Sequence, residues 1–185
     1  MIQILDLRLM IYTSMMAALT IIGAYISIPL PFSPVPIALS NLFVILGGLL
    51  LGKKWGLTSV GIYLFLGIIG LPVFAGGKGG LAHFMGPTGG YLIGFAVAAF
   101  IVGAIIEIGK DSILKDTLAV LIGFTIIFAF GVPWLMYTLK LSFGEALAAG
   151  VIPFIPGAIF KSIVVVGLAK IIRPLIHTSL KANSL

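Results

Sequence analysis

The stretch GGYLIGFAVAAFIVGAIIEIG, residues 89–109, carries a single charged side chain, Glu107, close to its end. About 20 consecutive apolar residues are enough for an α-helix to cross the hydrocarbon core of a bilayer. Only helices and closed barrels satisfy their backbone hydrogen bonds in lipid, and this run lacks the alternation of a barrel strand. The stretch therefore predicts a transmembrane helix.

The composition of the whole chain agrees with this reading. Hydrophobic residues make up 61% of its 185 residues and charged residues 9%, and the mean hydropathy is +1.28. A soluble domain carries about 25% charged residues, so this chain lacks the side chains to cover a water-facing surface. The net charge of +6 comes from Lys and Arg scattered between apolar runs, which favours membrane orientation over nucleic-acid binding. We expect a multi-pass protein of the cell membrane that does not bind nucleic acid.

Polar breaks divide the chain into six apolar segments, which we predict to be six transmembrane helices in one all-α domain over residues 1–185. The predicted spans are 8–29, 37–52, 56–74, 89–109, 117–138 and 147–173. The second is short for a complete crossing. Between the first two spans, PLPFSPVP (29–36) predicts a stiff extended loop, because proline fixes its own φ and restricts the residue before it. GKKWG (52–56) predicts a basic turn, and residues 75–88 form a glycine-rich loop.

The distribution of Lys and Arg predicts the orientation. Two basic residues, Lys78 and Lys140, fall on one side of the predicted membrane, and Lys161 lies inside the last span. Eight fall on the other side: Arg8, Lys53, Lys54, Lys110, Lys115, Lys170, Arg173 and Lys181. Cytoplasmic loops carry the excess of positive charge. Both termini are therefore expected in the cytoplasm, and the proline loop and the glycine-rich loop are expected outside.

Lys161 is the most informative single residue. It follows PFIPG near the outer end of the sixth span, and a lysine at the centre of a membrane helix costs roughly 2.5–3.5 kcal/mol on insertion scales. Such a residue is usually functional, and an unpaired outward lysine suits a ligand carboxylate. The alternatives are that Lys161 reaches the interface or pairs with another side chain. Glu145 is the only acid whose predicted side of the membrane allows that pairing.

Polar residues beside the two outer loops are further candidates. Ser40 and Asn41 open the second span, and Thr88 and Tyr91 open the fourth. These residues fit ordinary helix-start and interhelical hydrogen bonding, or in the case of Tyr91 an interface aromatic. They also fit hydrogen bonds to a polar ligand. The glycines allow the loop backbone to approach a ligand closely, although a slack linker is an open alternative.

Several classes of chemistry are disfavoured. GKGGLA (77–82) matches the G-x-G-x-x-A dinucleotide pattern, but that pattern has meaning only between a strand and a helix of a soluble unit. The chain has no G-x-x-x-x-G-K-[ST] sequence and no cysteine, and His83 has no companions to bind a metal with. No acid–base pair or nucleophile is evident. We therefore expect neither an enzyme nor a metal site, and any ATP is hydrolysed by another polypeptide.

The first span carries small residues at Ser14, Ala17 and Ala18. Small residues allow two helices to approach closely in lipid. They predict either packing within the bundle or a docking face for another membrane protein.

Four motifs, taken in order, resemble one family. They are PFSPVPIALSNLFVILGGLLLG (31–52), GIIGLPVFAGGKGG (67–80), GPTGGYLIGF (86–95) and PFIPGAIFK (153–161). Together with the spacing of the segments, they resemble the BioY family, the biotin-binding subunits (S components) of energy-coupling factor (ECF) transporters. One departure concerns the family's common P-G-D-x-x-K motif, which here has Ala158 in place of the acid.

The resemblance implies a six-helix bundle that binds biotin from outside, with the loop between the first two helices as a lid. It implies association with a transmembrane coupling protein and two cytoplasmic ATPases, with Ser14 and Ala18 at the docking face, and no cofactor besides the transported biotin. The expected ligand contacts are Phe32, Val35, Ser40, Asn41, Phe74, Gly76, Thr88, Tyr91 and Lys161. We do not expect Lys78 or His83 to contact the ligand. The alternative function is a facilitator that works without ATPases.

Overall fold

A computed structural model describes residues 2–109 and 111–181, so Lys110, which entered the orientation count, lies outside the described residues. Seven helices form the bundle: α1 (Ile2–Tyr25), α2 (Ser40–Ile68), α3 (Leu81–Phe84), α4 (Gly89–Ile106), α5 (Ile113–Leu139), α6 (Phe143–Gly150) and α7 (Ile155–Lys181). Strands β1 (Ser27–Leu30) and β2 (Ser33–Ala38) connect α1 to α2, and a 3₁₀ turn (Ile152–Phe154) precedes α7. Within the described part of the chain, five helical stretches are long and apolar enough to cross a membrane: 7–25, 40–68, 89–106, 113–139 and 143–176.

One of these stretches, α2, is a hairpin of two helical arms. Gly52 interrupts it with φ 76° and ψ −178°, a left-handed φ that glycine adopts at little cost. A Cβ built on Gly56 would lie 2.8 Å from the Cα of Gly48, whereas residues eight apart in a straight helix are about 12 Å apart. The chain therefore reverses at Gly52, and its arms, 40–51 and 53–68, correspond to the second and third predicted segments. With α1, α4, α5 and α7, the described residues contain the six predicted apolar helices.

Several predicted helix ends were wrong. The first helix ends at Tyr25 instead of residue 29, and the third ends at Ile68 instead of residue 74. The sixth predicted span, 147–173, combined the end of α6 with α7. Pro153 and Pro156 lie where the two helices separate; proline lacks a backbone N–H, and Pro156 stands in the first turn of α7, where that N–H is not needed.

The proline loop is an antiparallel β-hairpin, which the all-α prediction did not include. Its register pairs Ser27 with Ala38, Ile28 with Ile37 and Leu30 with Ser33. Proline is compatible with such a two-stranded ribbon because each strand has one edge whose N–H groups need no partner. The predicted stiffness of the segment is thus realised as a hairpin that lies over one end of the bundle.

The core forms where α4 packs against α2 and α5. A Cβ on Gly103 of α4 would lie 2.3 Å from the backbone nitrogen of Lys53, and one on Gly48 would lie 2.7 Å from the carbonyl oxygen of Ala99. These glycines allow helix backbones to approach closely, as is common in membrane bundles. Apolar side chains such as Ile45 and Val102, both fully buried, fill the space between the helices.

Ion pairs close the end of the bundle opposite the β-hairpin. Arg173 of α7, 9% exposed, donates to both carboxylate oxygens of Asp116 in α5, at 3.1 and 2.9 Å, and to the carbonyl oxygen of Leu49 at 3.4 Å. Lys53 pairs with Glu107 at 3.1 Å beside the Gly52 turn. This end carries the basic residues predicted to be cytoplasmic, and Arg173 links α7, α5 and the first arm of α2 there.

Replacing Asp116 with alanine should lower the free energy of unfolding by about 3–5 kcal/mol, because it leaves the Arg173 guanidinium buried without its carboxylate. Thermal melting of the protein purified in detergent measures the loss. Asp111→Ala is the matched control, since the Asp111 side chain is 54% exposed and lies 3.6 Å from Arg173. We expect it to cost less than about 1 kcal/mol. Equal losses for the two variants would contradict the role given to the Arg173–Asp116 pair.

Candidate functional site

A cavity with two lobes lies under β2, between the first arm of α2, α4 and the loops. The loop lobe, about 80 Å³, is lined by Pro34, Val35, Pro36, Ala38, Ser40, Tyr63, Phe74, Ala75, Lys78, His83, Thr88, Tyr91, Leu92 and Phe95. The helix lobe, about 50 Å³, shares Val35, Pro36, Ala38, Ser40, Tyr91 and Phe95 and adds Asn41, Ile127, Phe128 and Phe154. Because six residues border both lobes, the lobes are adjacent, and we treat them as one candidate site.

Most of the residues singled out in the sequence meet at this cavity. Val35, Ser40 and Tyr91 line both lobes, Phe74 and Thr88 line the loop lobe, and Asn41 lines the helix lobe. They come from β2, the start of α2, the glycine-rich loop and the start of α4. Segments far apart in sequence therefore supply one site.

Phe32 and Gly76 lie away from the cavity. Phe32 is at the tip of the β-hairpin between its two strands, and its side chain is 64% exposed. Gly76 lines an outer cleft of about 390 Å³ between the β-hairpin and the glycine-rich loop. The geometry therefore gives neither residue a place in the cavity wall.

Lys161 lies behind the residues that line the cavity and borders neither lobe. Its ammonium donates to the carbonyl oxygen of Ala38 at 2.6 Å and to Oδ1 of Asn41 at 2.9 Å, and the residue is 5% exposed. The alternative in which Lys161 pairs with Glu145 does not occur, because the Glu145 carboxylate accepts from the backbone and side chain of Ser142 at the start of α6. Lys161 thus ties α7 to the end of β2 and the start of α2.

The two bonds of Lys161 also determine what Asn41 offers to the cavity. With Oδ1 occupied by the ammonium, the side-chain NH₂ of Asn41 is left to donate. Tyr91 has the opposite character, because its hydroxyl donates to the carbonyl oxygen of Gly150 at 2.9 Å and its oxygen keeps the capacity to accept. The helix lobe therefore presents a donor and an acceptor in fixed roles.

The glycine-rich loop is ordered by its own hydrogen bonds, which rules out the slack linker. The backbone N–H of Phe74 donates to the carbonyl oxygen of Lys78 at 2.8 Å across a turn in which Gly76 and Gly77 have φ of 73° and 70°. Gly80 donates to the carbonyl oxygen of Gly67 at 2.7 Å. Phe74 is fully buried, and a Cβ on Gly67 would lie 2.0 Å from its ring, so Gly67 is what admits Phe74.

The residues that line the loop lobe but were not predicted as contacts include three with polar side chains, Tyr63, Lys78 and His83. Tyr63 packs edge-on against Phe74, with ring centroids 5.5 Å apart, and its hydroxyl was the only signal in an otherwise apolar run. Lys78 and His83 also line the lobe, although we did not expect either residue to contact the ligand. Burial and neighbouring Lys78 lower the pKa of His83 below its usual value, so its imidazole is neutral near pH 7.

Two side-chain hydrogen bonds fasten the parts that cover the cavity. Ser33, at the start of β2, donates to the carbonyl oxygen of Ala149 in α6 at 2.7 Å. Tyr25, at the end of α1, donates to the carbonyl oxygen of Pro72. Because Tyr91 bonds to Gly150, the C-terminal turn of α6 contacts both the β-hairpin and the cavity wall. This contact was not predicted, because the sixth predicted span, 147–173, did not separate the end of α6 from α7.

The BioY family's sequence profile matches residues 1–178 of this chain. The chain belongs to the BioY family. It is 42% identical over 157 residues to the probable biotin transporter BioY of Pyrococcus horikoshii, covering 85% of this chain and 91% of that one. It is 40% identical over 158 residues to the biotin transporter BioY of Thermotoga maritima, with the same coverages of 85% and 91%.

A crystal structure of the S-component for biotin from an ECF-type ABC transporter has the same fold. It superposes with a TM-score of 0.84 and 34% identity, over 91% of this chain and 92% of that one. The match confirms the predicted S-component-like helical bundle and the location in the cell membrane as a multi-pass protein. Since BioY proteins are named as transporters, the chain is not an enzyme.

Ser33→Ala should loosen the β-hairpin, because it removes the bond to Ala149. A neutral hydrogen bond contributes about 1 kcal/mol, which corresponds to about a five-fold loss of protection. Hydrogen–deuterium exchange of the amides in residues 27–38 measures it. Ser33→Thr retains the hydroxyl and should exchange as the wild type does. If the alanine variant keeps full protection, the bond does not hold the β-hairpin.

Proposed function

We propose that this chain binds biotin in the two-lobed cavity and is the substrate-binding subunit of an ATP-driven biotin uptake system. The observation that supports this most directly is a cavity with polar groups at its ends and apolar walls between, in a fold that matches the S-component for biotin. The concentration of basic residues at the opposite end of the bundle favours a cavity that opens to the extracellular side.

The apolar and polar groups of the cavity are compatible with the parts of biotin. Biotin has a ureido head, an apolar thioether ring, a methylene chain and a carboxylate. Val35, Leu92 and Phe95 provide apolar surface in the cavity wall. Ligand pockets are typically apolar, with a few polar groups that fix the orientation of the ligand.

The ureido head fits the helix lobe. A ureido group combines a carbonyl acceptor with N–H donors, and Asn41 and Tyr91 offer the complementary donor and acceptor. Lys161 acts through Asn41, because its bond occupies Oδ1 and leaves the amide nitrogen to donate. Ser40, which is 3% exposed and borders both lobes, adds a hydroxyl that suits either partner.

Isothermal titration calorimetry of the purified protein tests the assignment. We expect biotin to bind the wild type, and Asn41→Leu to weaken binding by about 5–150-fold, because a buried hydrogen-bond partner is lost at a cost of about 1–3 kcal/mol. Phe32→Ala is the matched control, since its exposed side chain lies outside the cavity, and it should bind biotin as the wild type does. No binding at micromolar biotin would overturn the proposed function.

Energy for uptake has to come from other subunits, since the sequence contains no P-loop motif. We propose a transmembrane coupling protein and two cytoplasmic ATPases as partners, with α1 as the docking helix. Ser14 and Ala18 are exposed one turn apart, among larger exposed side chains such as Ile11 and Ile22. Ala17 is 3% exposed and packs inside the bundle, because one residue turns a helix by about 100°, so it is not part of this face.

Ser14→Trp should abolish co-purification with the coupling protein while biotin binding by the isolated chain is unchanged. The tryptophan side chain occupies the space that the small Ser14 leaves between its larger neighbours, and it prevents a second helix from approaching closely. Leu121→Trp, at an exposed position of α5, is the control and should leave assembly intact. Loss of biotin binding together with assembly would mean that the Ser14 face belongs to the interior of the bundle. Biotin flux into liposomes that contain this chain alone would contradict the need for ATPases and favour a facilitator.

A further inference from the structure

Lys78 lies where the cavity meets the outer cleft. The loop lobe and the outer cleft share four residues: Pro34, Pro36, Ala75 and Lys78. Two of them belong to β2 and two to the glycine-rich loop. This junction is the mouth of the cavity, and Lys78 is the charged residue among the four.

The backbone around Lys78 is fixed. Phe74 and Lys78 pair across the turn with two hydrogen bonds, 2.8 and 3.3 Å long, and the buried ring of Phe74 anchors that turn in the bundle. The side chain of Lys78 is exposed, and no carboxylate of the described residues lies within salt-bridge distance of it. Glu145, the acid predicted on this side of the membrane, is held by Ser142. A positioned ammonium at the mouth is thus available to an anion.

Lys78 and Asn41 mark opposite ends of the site. Lys78 lines the loop lobe but not the helix lobe, and Asn41 lines the helix lobe but not the loop lobe. The shared part is mostly apolar: Val35, Pro36, Ala38 and Phe95 lie there, together with the hydroxyl-bearing Ser40 and Tyr91. The site therefore fits an elongated ligand with a neutral polar head, an apolar middle and an anionic tail.

We propose that Lys78 binds the carboxylate of the ligand at the mouth of the cavity, a role that rests on the proposed binding of biotin. The ureido head then occupies the helix lobe, and the chain of methylene groups runs along the apolar middle. The carboxylate stays next to the outer cleft, where water reaches it. This placement avoids the large cost of moving an isolated ionised carboxylate into an apolar interior.

Lys161 is less suited to hold the carboxylate. Two of its three N–H donors are used by Ala38 and Asn41, and it does not line either lobe. His83 supplies no charge near pH 7, since burial and Lys78 lower its pKa. Its ring stacks against Phe74, with centroids 5.6 Å apart, and forms a neutral side of the mouth.

The proposal is tested by comparing the affinities of a charged and an uncharged ligand, biotin and its carboxamide. Calorimetry measures both affinities for the wild type, Lys78→Gln and Lys161→Gln. We expect the wild type to prefer biotin over the carboxamide by roughly two- to five-fold, within the range for an exposed ion pair. Lys78→Gln should remove this preference, with the carboxamide bound as before. Lys78→Arg should restore it. Lys161→Gln should weaken both ligands similarly and leave the preference in place.

The outcomes separate the subsite from the function. If the wild type binds no biotin, the proposed function and this subsite both fail. If biotin binds but Lys78→Gln keeps the preference, the subsite alone is overturned. Loss of the preference in Lys161→Gln, and not in Lys78→Gln, assigns the carboxylate to Lys161. As a check on unmutated protein, the association rate of biotin should fall with added salt, whereas that of the carboxamide should not.

Discussion

The ammonium of Lys161 is the constraint on which the cavity depends. A charge buried in a lipid-embedded bundle is costly unless its hydrogen bonds are made, and Lys161 makes two of them to neutral oxygens, those of Ala38 and Asn41. The first acceptor is the last residue of β2 and the second lies in the first turn of α2. One side chain from α7 therefore fixes where the covering hairpin ends and how the wall beneath it is oriented. Ala158, which replaces the acid of the common family motif, leaves these oxygens to carry the interaction.

The second constraint is backbone proximity at glycine. At Gly150 a Cβ would lie 2.3 Å from the hydroxyl of Tyr91, so any other residue would displace the tyrosine that donates to this same carbonyl. At Gly131 a Cβ would lie 2.3 Å from the Tyr91 ring. The lack of side chains at Gly131 and Gly150 leaves room for the ring and the hydroxyl of Tyr91. This close fit keeps the Tyr91 oxygen at one position beside the cavity. Binding sites need such positioning, because a polar group that moves freely gives little specificity.

Hydropathy was sufficient to predict the six apolar helices, since the bilayer imposes their length and composition. Hydropathy was insufficient where the local sequence of a segment was compatible with more than one structure. Prolines in residues 29–36 indicated an extended chain, but nothing local indicated the pairing of Ile28 with Ile37. Val35 and Tyr91, predicted to contact the ligand, both line the cavity, and their contact with a ligand stays a prediction. Phe32 was misplaced, since an apolar residue in a lid suggests burial, whereas the hairpin turn directs it outward at 64% exposure. The sequence did not indicate that Lys78 lines the cavity, because its position depends on the turn in which Phe74 and Lys78 pair.

Lys161 and Lys78, the two lysines next to the cavity, have different electrostatic roles. Lys161 is saturated by protein oxygens, so it shapes the wall and has little left with which to attract an anion. Lys78 is exposed at the mouth, so an anion meets it before the apolar interior. An elongated ligand that enters with its neutral head first then brings its charge to rest at the entrance. The Ser33–Ala149 bond holds the β-hairpin that covers the cavity to α6. Because the hairpin begins two residues after α1 ends, the proposed docking helix and the cover of the cavity are joined by a single short connection.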